Sequence, residues 1–317
     1  MMMIGIVDNI FGNAALYTFG LQFLGFLVAF ALQTETFYDV LGGINFLLLA
    51  LVGWTSSSSD GNGNDDGSTT TTTTIQLHSL LFWATLLHCI SRGWLLVFLA
   101  WRAHSRKGDA RFEEVIHKPI LFLIYWMVQA FWVYLISFPL LVLQQQQQND
   151  KNDNDNNNTD ISTRDIVLLI GWFVLGIVLE ISSDVQKTLW IQAERRGGFC
   201  RVGWWKYSRH PNYAGEIMQW WFAAALCFPN AWGLLSPLFT MVILLLLSGT
   251  GISHAEGKNQ KRYYESPFAE EYKIYRENTS PLIPLVGYGK IPLFIKRTFL
   301  FEWERYEYRP TNNTKQA

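Results

Sequence analysis

The sequence predicts an all-α fold: a polytopic membrane bundle of about seven transmembrane helices, with a cytosolic C-terminal amphipathic helix. Three observations carry this reading. Half of the 317 residues are hydrophobic and only 16% are charged, whereas soluble domains carry about 25% charged residues. Apolar runs recur at 14–33, 37–54, 75–101, 119–143, 165–190, 213–229 and 231–252. Each approaches the roughly 20 residues that a helix needs to cross hydrocarbon. Basic residues gather in alternate connections between these runs.

The elements follow in order. Run 14–33 lacks a preceding basic segment and a following small-residue cleavage site, so it is expected to stay as a span and not to act as a signal peptide. Glu35 and Asp39 flank the turn into 37–54. Residues 55–74 are Ser, Thr, Gly, Asn and Asp, and 144–164 open with a Gln run followed by Asn and Asp. Both are expected to be disordered loops, because they bury too little apolar surface to offset the entropy of ordering. Run 165–190 turns polar after Ile181, and Glu180, Asp184 and Lys187 share one helical face. Pro211 suits the first turn of the next helix. On that helix Asn212, Glu216, Gln219 and Trp220 form one stripe, with Ile217, Trp221 and Ala224 opposite. Pro229-Asn-Ala makes a turn into 231–252. A tail helix then carries Tyr263, Tyr264, Phe268, Tyr272 and Tyr275 until Pro281 and Pro284 end it. The chain thus reads as front-half helices (1–164), a polar back half (165–290) and a C-terminal tail (291–317).

Charge sets the orientation. No Lys or Arg precedes Arg92; loop 102–118 holds Arg102, Arg106, Lys107, Arg111 and Lys118, and loop 191–212 holds Arg195, Arg196, Arg201, Lys206 and Arg209. Seven spans with these loops and the basic C-terminus in the cytosol obey the positive-inside rule, so the N-terminus is expected outside. The sequon at Asn157 would face the lumen and accept a glycan, while that at Asn278 would stay bare.

The stretch Tyr207-Ser-Arg-His-Pro-Asn-Tyr-Ala-Gly-Glu216 concentrates polarity beside apolar runs. Ionisable groups at such places are costly and usually functional. Glu216 lies one turn inside an apolar run and needs a partner, which Asn212 on its own face or a nearby arginine can provide. With Asp184, Lys187, Arg195, Arg196, Arg201, Tyr207, Arg209, His210, Tyr213, His254, Glu256, Tyr272 and Arg276, these residues suit a large anionic ligand with polar heterocycles. Arginine clamps phosphate bidentately, a helix start offers free N–H groups, and Tyr or Trp stacks on planar rings. Loop arginines also serve as topology determinants, and the tail tyrosines as an interfacial belt. Cys89, Cys200 and Cys227, like the scattered histidines, have no metal-ligand spacing, so no metal is expected. The chain has no P-loop, strand-led GxGxxG or HExxH motif; its net charge of −1 says nothing about partners, and no nucleic-acid partner is expected.

Ser183-Asp-Val-Gln-Lys187, Gly198-Phe-Cys, Gly203-Trp-Trp-Lys-Tyr-Ser-Arg-His-Pro-Asn-Tyr-Ala-Gly-Glu216 and Trp220-Trp221 resemble the C-terminal half of the steroid 5-alpha-reductase superfamily, within its branch of poorly characterised multi-span proteins. Lys261-Arg-Tyr, Tyr272-Lys-Ile-Tyr-Arg276 and Thr279-Ser-Pro-Leu-Ile-Pro284 continue the pattern, so the resemblance covers roughly 165–290. It implies a seven-span bundle that binds NADPH on the cytosolic side and reduces a carbon–carbon double bond conjugated to a ketone. It further implies that Asp184 contacts the cofactor and that Asn212 and Glu216 contact its nicotinamide end. His254 and Tyr272 would approach the cofactor, and Arg195, Arg196 and Arg209 would suit its phosphates; Lys187, Tyr207, His210 and Tyr213 complete the expected cofactor-binding set. The substrate-activating acid and tyrosine of those reductases lie in a front half that does not align here, so no catalytic residue carries over. Ser248–Glu256 also departs from the branch's acid-containing pattern.

Arg209-His210-Pro211 and Tyr213 fit a second family equally, the isoprenylcysteine carboxyl methyltransferases, which bind S-adenosylmethionine. Asn212 and Gly215-Glu216 favour the reductases. The expected function is therefore NADPH-dependent reduction of a lipid-soluble enone, sterol-like or fatty-acyl-like, in a membrane such as the endoplasmic reticulum. A membrane methyltransferase and a non-catalytic lipid-binding protein remain as alternatives. Membrane lipids are the other expected partners, and the oligomeric state stays open.

Overall fold

The computed structural model describes residues 10–59, 80–105, 112, 114–152, 161–195, 198–247 and 251–306. Among them every named element is helical, and the only extended pairing is an isolated bridge between Ser208 and Ser280. The elements are α1 (Ile10–Leu32), α2 (Tyr38–Ser59), α3 (Leu80–Ser105), α4 (Pro119–Ile136), α5 (Phe138–Asn152), α6 (Thr163–Gly171), α7 (Leu179–Gln192), α8 (Pro211–Leu226), α9 (Leu235–Met241), α10 (Gly251–Tyr264), α11 (Ala269–Asn278) and α12 (Leu293–Phe299). A π-helical segment, Trp172–Val178, joins α6 to α7.

The fold is an all-α membrane bundle. Among the described residues, five helical stretches are long and apolar enough to cross a bilayer: Ile10–Leu32, Leu80–Trp101, Pro119–Ile136, Thr163–Gln192 and Ala231–Ser253. The remaining two of the seven expected spans are shorter: Tyr38–Leu51 is the apolar part of α2, and α8 has 16 residues.

The chain divides into two compact units. The first comprises residues 1–172 and 220–236. In it α1 packs on α4 and α2, and α2 packs on α3. Phe26, Ala29, Tyr38, Phe112, Phe122 and Trp126 form an aromatic core between them. The polarity of this unit is inverted relative to a soluble bundle. Leu24, Val28, Leu51, Val97, Ile120 and Val128 are exposed, while Thr18, Gln22, Asn45, His88, Arg92 and Gln129 are buried. An exterior facing lipid tails needs no polar groups, so the polar side chains turn inward.

Two expectations are corrected here. The Gln run is not a loop: α5 continues through it to Asn152, Gln144 is fully buried, and Gln146 Nε2 donates to the Cys227 carbonyl at 3.3 Å. Glutamine is a good helix former, so a helix already started by Phe138–Leu143 propagates through it. Likewise α2 runs on through Thr55–Ser59 of the first expected loop. Residues 60–74, and 153–160 with the sequon at Asn157, lie outside the described residues.

The second unit comprises residues 173–219 and 237–317. Here α7 and the first turns of α8 run antiparallel at close range. A Cβ on Gly215 would stand 2.6 Å from the Glu180 nitrogen and 2.8 Å from the Gly176 carbonyl. Only glycine permits that approach, as small residues do at membrane helix crossings. The intervening turn is stitched to α7: the Trp204 backbone N–H donates to Gln186 Oε1 (2.8 Å), Trp204 Nε1 to Ser182 Oγ (2.9 Å) and Trp205 Nε1 to the Ser183 carbonyl (2.9 Å). Leu179, Ala214, Ile217, Leu244, Leu245 and Ile252 form the apolar core, closed by Leu282 and Tyr306.

The single amphipathic tail helix is resolved into two, α10 and α11, separated at Glu265–Phe268 around Pro267. Residues 291–306 are no free tail either. Tyr306 is buried and its hydroxyl donates to the Leu245 carbonyl at 2.6 Å.

Candidate functional site

The site lies in the second unit and grows from the α7–α8 crossing. With Gly215 seated on Gly176 and Glu180, the two polar faces meet in register. Asn212 Nδ2 donates to Asp184 Oδ1 at 3.1 Å, and further along the crossing Gln219 Nε2 donates to Glu180 Oε2. Asp184, Glu180 and Gln219 are buried. The Asn212 Oδ1 is also buried and has no hydrogen-bond partner among the described residues. Asp184 therefore takes the donor end of the amide and leaves its acceptor end free.

A network of buried charge lies beside it. Arg209 Nη2 donates to both oxygens of Glu302, at 2.7 and 2.6 Å, and Nη1 to Glu256 at 3.2 Å. His210 Nε2 lies 3.1 Å from the other Glu256 oxygen. Arg276 Nη2 lies 3.6 Å from Glu256 and 3.5 Å from Glu302. The Tyr288 hydroxyl donates to Glu302 at 2.7 Å. Burial alone would raise the Glu256 carboxyl, but Arg209, the His210 hydrogen bond and Arg276 outweigh it and hold it well below the usual carboxylate range. Burial likewise works against the Arg209 cation, and Glu256 and Glu302 more than restore it. For His210 burial wins: its imidazole titrates below the ordinary value despite the bond to Glu256.

Lys187, Cys200, Trp205, Arg209, His210, Glu256, Tyr263, Tyr272 and Tyr275 line a small cavity of about 40 Å³. The Lys187 ammonium sits 4.1 Å from the centre of the Trp205 ring, a cation–π distance. Burial pushes the Tyr263, Tyr272, Tyr275 and Cys200 groups up, so the cavity is walled by neutral phenols and a thiol. The Tyr275 hydroxyl donates to the Trp205 carbonyl at 2.6 Å.

The structure thus pairs Asp184 with Asn212 and gathers Lys187, Arg209, His210 and Tyr272 around the cavity. Tyr213 stacks on the His210 ring, with centroids 5.4 Å apart. Glu216 is half-buried on α8, and His254 belongs to α10, two residues before Glu256. Arg195 and Tyr207 are exposed, and Arg196 lies outside the described residues. Arg209, expected as a phosphate contact, instead has its charge answered by two carboxylates of the protein. Sequence reasoning missed Glu302, which lies 93 residues from its partner Arg209. The available signal was an acid set between Phe301 and Trp303.

Fold and site together define a polytopic all-α membrane protein with a buried polar centre. The chain belongs to a family described as "Protein of unknown function (DUF1295)", which it matches over residues 25–279. No curated protein and no solved structure matches it.

Proposed function

We propose that this protein is a membrane-embedded, NADPH-dependent reductase of the carbon–carbon double bond in a lipid-soluble enone, related to the steroid 5-alpha-reductase superfamily. One observation carries the reading. Asn212 holds a buried carboxamide oxygen with no partner among the described residues, oriented by Asp184, at the start of α8. A free buried acceptor costs about 1–3 kcal/mol, and the amide N–H₂ of a nicotinamide would satisfy it. NADPH would supply a hydride when bound; Asn212, oriented by Asp184, would hold its amide end. Lys187, Arg195 and Arg196 remain for the phosphates, since Arg209 is neutralised by Glu256 and Glu302. By the positive-inside rule this centre faces the cytosol and the N-terminus the lumen, in the endoplasmic reticulum or a similar membrane.

The test is ligand-induced thermal stabilisation of the protein in nanodiscs. NADPH is expected to raise the unfolding temperature, and S-adenosylmethionine is not. Asn212→Ala should abolish the NADPH shift while changing the ligand-free unfolding temperature little. A shift from S-adenosylmethionine alone would replace the reductase reading with the methyltransferase one. An NADPH shift undiminished in Asn212→Ala would remove the site assignment.

A further inference from the structure

The first unit carries a second polar centre, inside its membrane-spanning helices. Thr85, His88 and Arg92 lie on one face of α3 and are buried. Arg92 donates through Nε and Nη2 to Ser91 Oγ, at 3.1 and 2.9 Å, and its guanidinium lies 4.8 Å from the Trp220 ring centre. The His88 ring is 5.7 Å from Trp220, and Trp172 is 6.2 Å from it on centroids. His88 Nε2 and the indole N–H groups of Trp172 and Trp220 are buried with no hydrogen-bond partner among the described residues. Aromatic faces can balance the charge of Arg92, but they do nothing for two indole N–H groups, which only donate. Two buried indole donors without acceptors among the described residues call for an oxygen acceptor.

We propose that this centre binds the carbonyl oxygen of a membrane-soluble ligand, with Trp172 and Trp220 as donors, Arg92 as the polarising cation and His88 beside them. The naming of that ligand as the enone substrate rests on the reductase reading above; the acceptor site itself does not. An oxygen carrying partial negative charge gains most beside a buried cation, because the surrounding dielectric is low.

The probe is progesterone, a lipophilic enone, measured by equilibrium dialysis against the full chain in nanodiscs without NADPH. The control is pregnane, the hydrocarbon of the same skeleton. Progesterone is expected to bind about 10-fold or more tightly than pregnane, the range of a charge-assisted hydrogen bond. Trp220→Phe keeps the ring and removes the N–H; it should weaken progesterone about 5- to 10-fold and leave pregnane unchanged. Arg92→Gln should do the same or more. Trp220→Phe carries the test alone where Arg92→Gln does not fold. Equal binding of ketone and hydrocarbon, or progesterone binding untouched by Trp220→Phe, overturns the proposal. The NADPH thermal shift separates the two readings. If progesterone depends on Trp220 but NADPH gives no shift, the acceptor site stands and the reductase reading falls. If NADPH stabilises but progesterone ignores Trp220, only the acceptor site falls.

Discussion

The two units bury most of their polar groups in different ways, although Asn212 of the second unit also keeps an unpartnered oxygen among the described residues. The second closes its charges on one another: Arg209 and Arg276 face Glu256 and Glu302, and Tyr288 and His210 take further lone pairs. The first buries amides, hydroxyls and an imidazole, and many of their atoms lack partners among the described residues, including both amide atoms of Gln22 and Gln144. The second arrangement is a structural lock, since a buried pair is costly to break once formed. The first is poised for a guest or for water, since orphaned buried polar atoms are scarce in finished cores.

The largest expected effect strikes the lock. Glu302→Ala leaves Arg209 with one of its two carboxylates and removes the Tyr288 acceptor. It should cost about 3–5 kcal/mol, as breaking buried ion pairs does, read as a lower unfolding temperature in nanodiscs. A variant as stable as wild type would erase the contrast between the units.

Gly215→Leu comes next. Its side chain must displace the α7 backbone, where even a Cβ stands 2.6 Å from the Glu180 nitrogen. We expect a loss of about 1–3 kcal/mol and loss of the NADPH shift together, because the Asn212–Asp184 register goes with the crossing. Retention of the shift would show that the register survives without the close approach.

Acid should weaken the second unit in two stages. His210 titrates lower in the fold than its ordinary value, so the unfolded chain binds the extra proton and stability declines as pH drops below about 6.5. Glu256 is also depressed; its contribution is present above about pH 4.3 and is lost below it, as the carboxyl protonates. Unfolding temperature measured across this range should fall throughout, and His210→Phe should flatten the upper stage and shrink the lower one, because His210 also helps to hold Glu256 ionised. A flat profile in the wild type would mean that the network does not depend on charge.

The smallest effect belongs to the exposed pair Arg201–Glu271, 3.1 Å apart with both side chains about half exposed. Solvent screens it, so Arg201→Ala should change stability by less than about 1 kcal/mol. A larger loss would extend the lock beyond its buried members.

Much of the candidate site was legible because its chemistry is local. Asn212 and Glu216 share a helical stripe, and Asp184 and Lys187 share another, so short-range periodicity reveals both faces. Glu302 was legible only as an acid set between Phe301 and Trp303; that local signal does not name a partner 93 residues away. The Gln run differs from its expected loop because its composition signals disorder, whereas its place after an apolar helical start signals continuation. Arg92 reads only as the first basic residue of the chain and His88 as one of the scattered histidines, since their meaning depends on the distant Trp220.

Hydropathy and the 3.6-residue period are enough to give the all-α membrane class, the order of the apolar helices and the polar faces of α7 and α8. Both act over a few turns, so the amino-acid order alone contains them. Tertiary packing was needed to show that Gly215 meets Gly176, that Asn212 keeps an oxygen available once Asp184 has taken its amide, and that Glu302 returns to close the charge of Arg209. Those depend on which backbones approach within contact distance. Burial then sets the worth of each polar atom, because its cost depends on the partners that the fold brings to it.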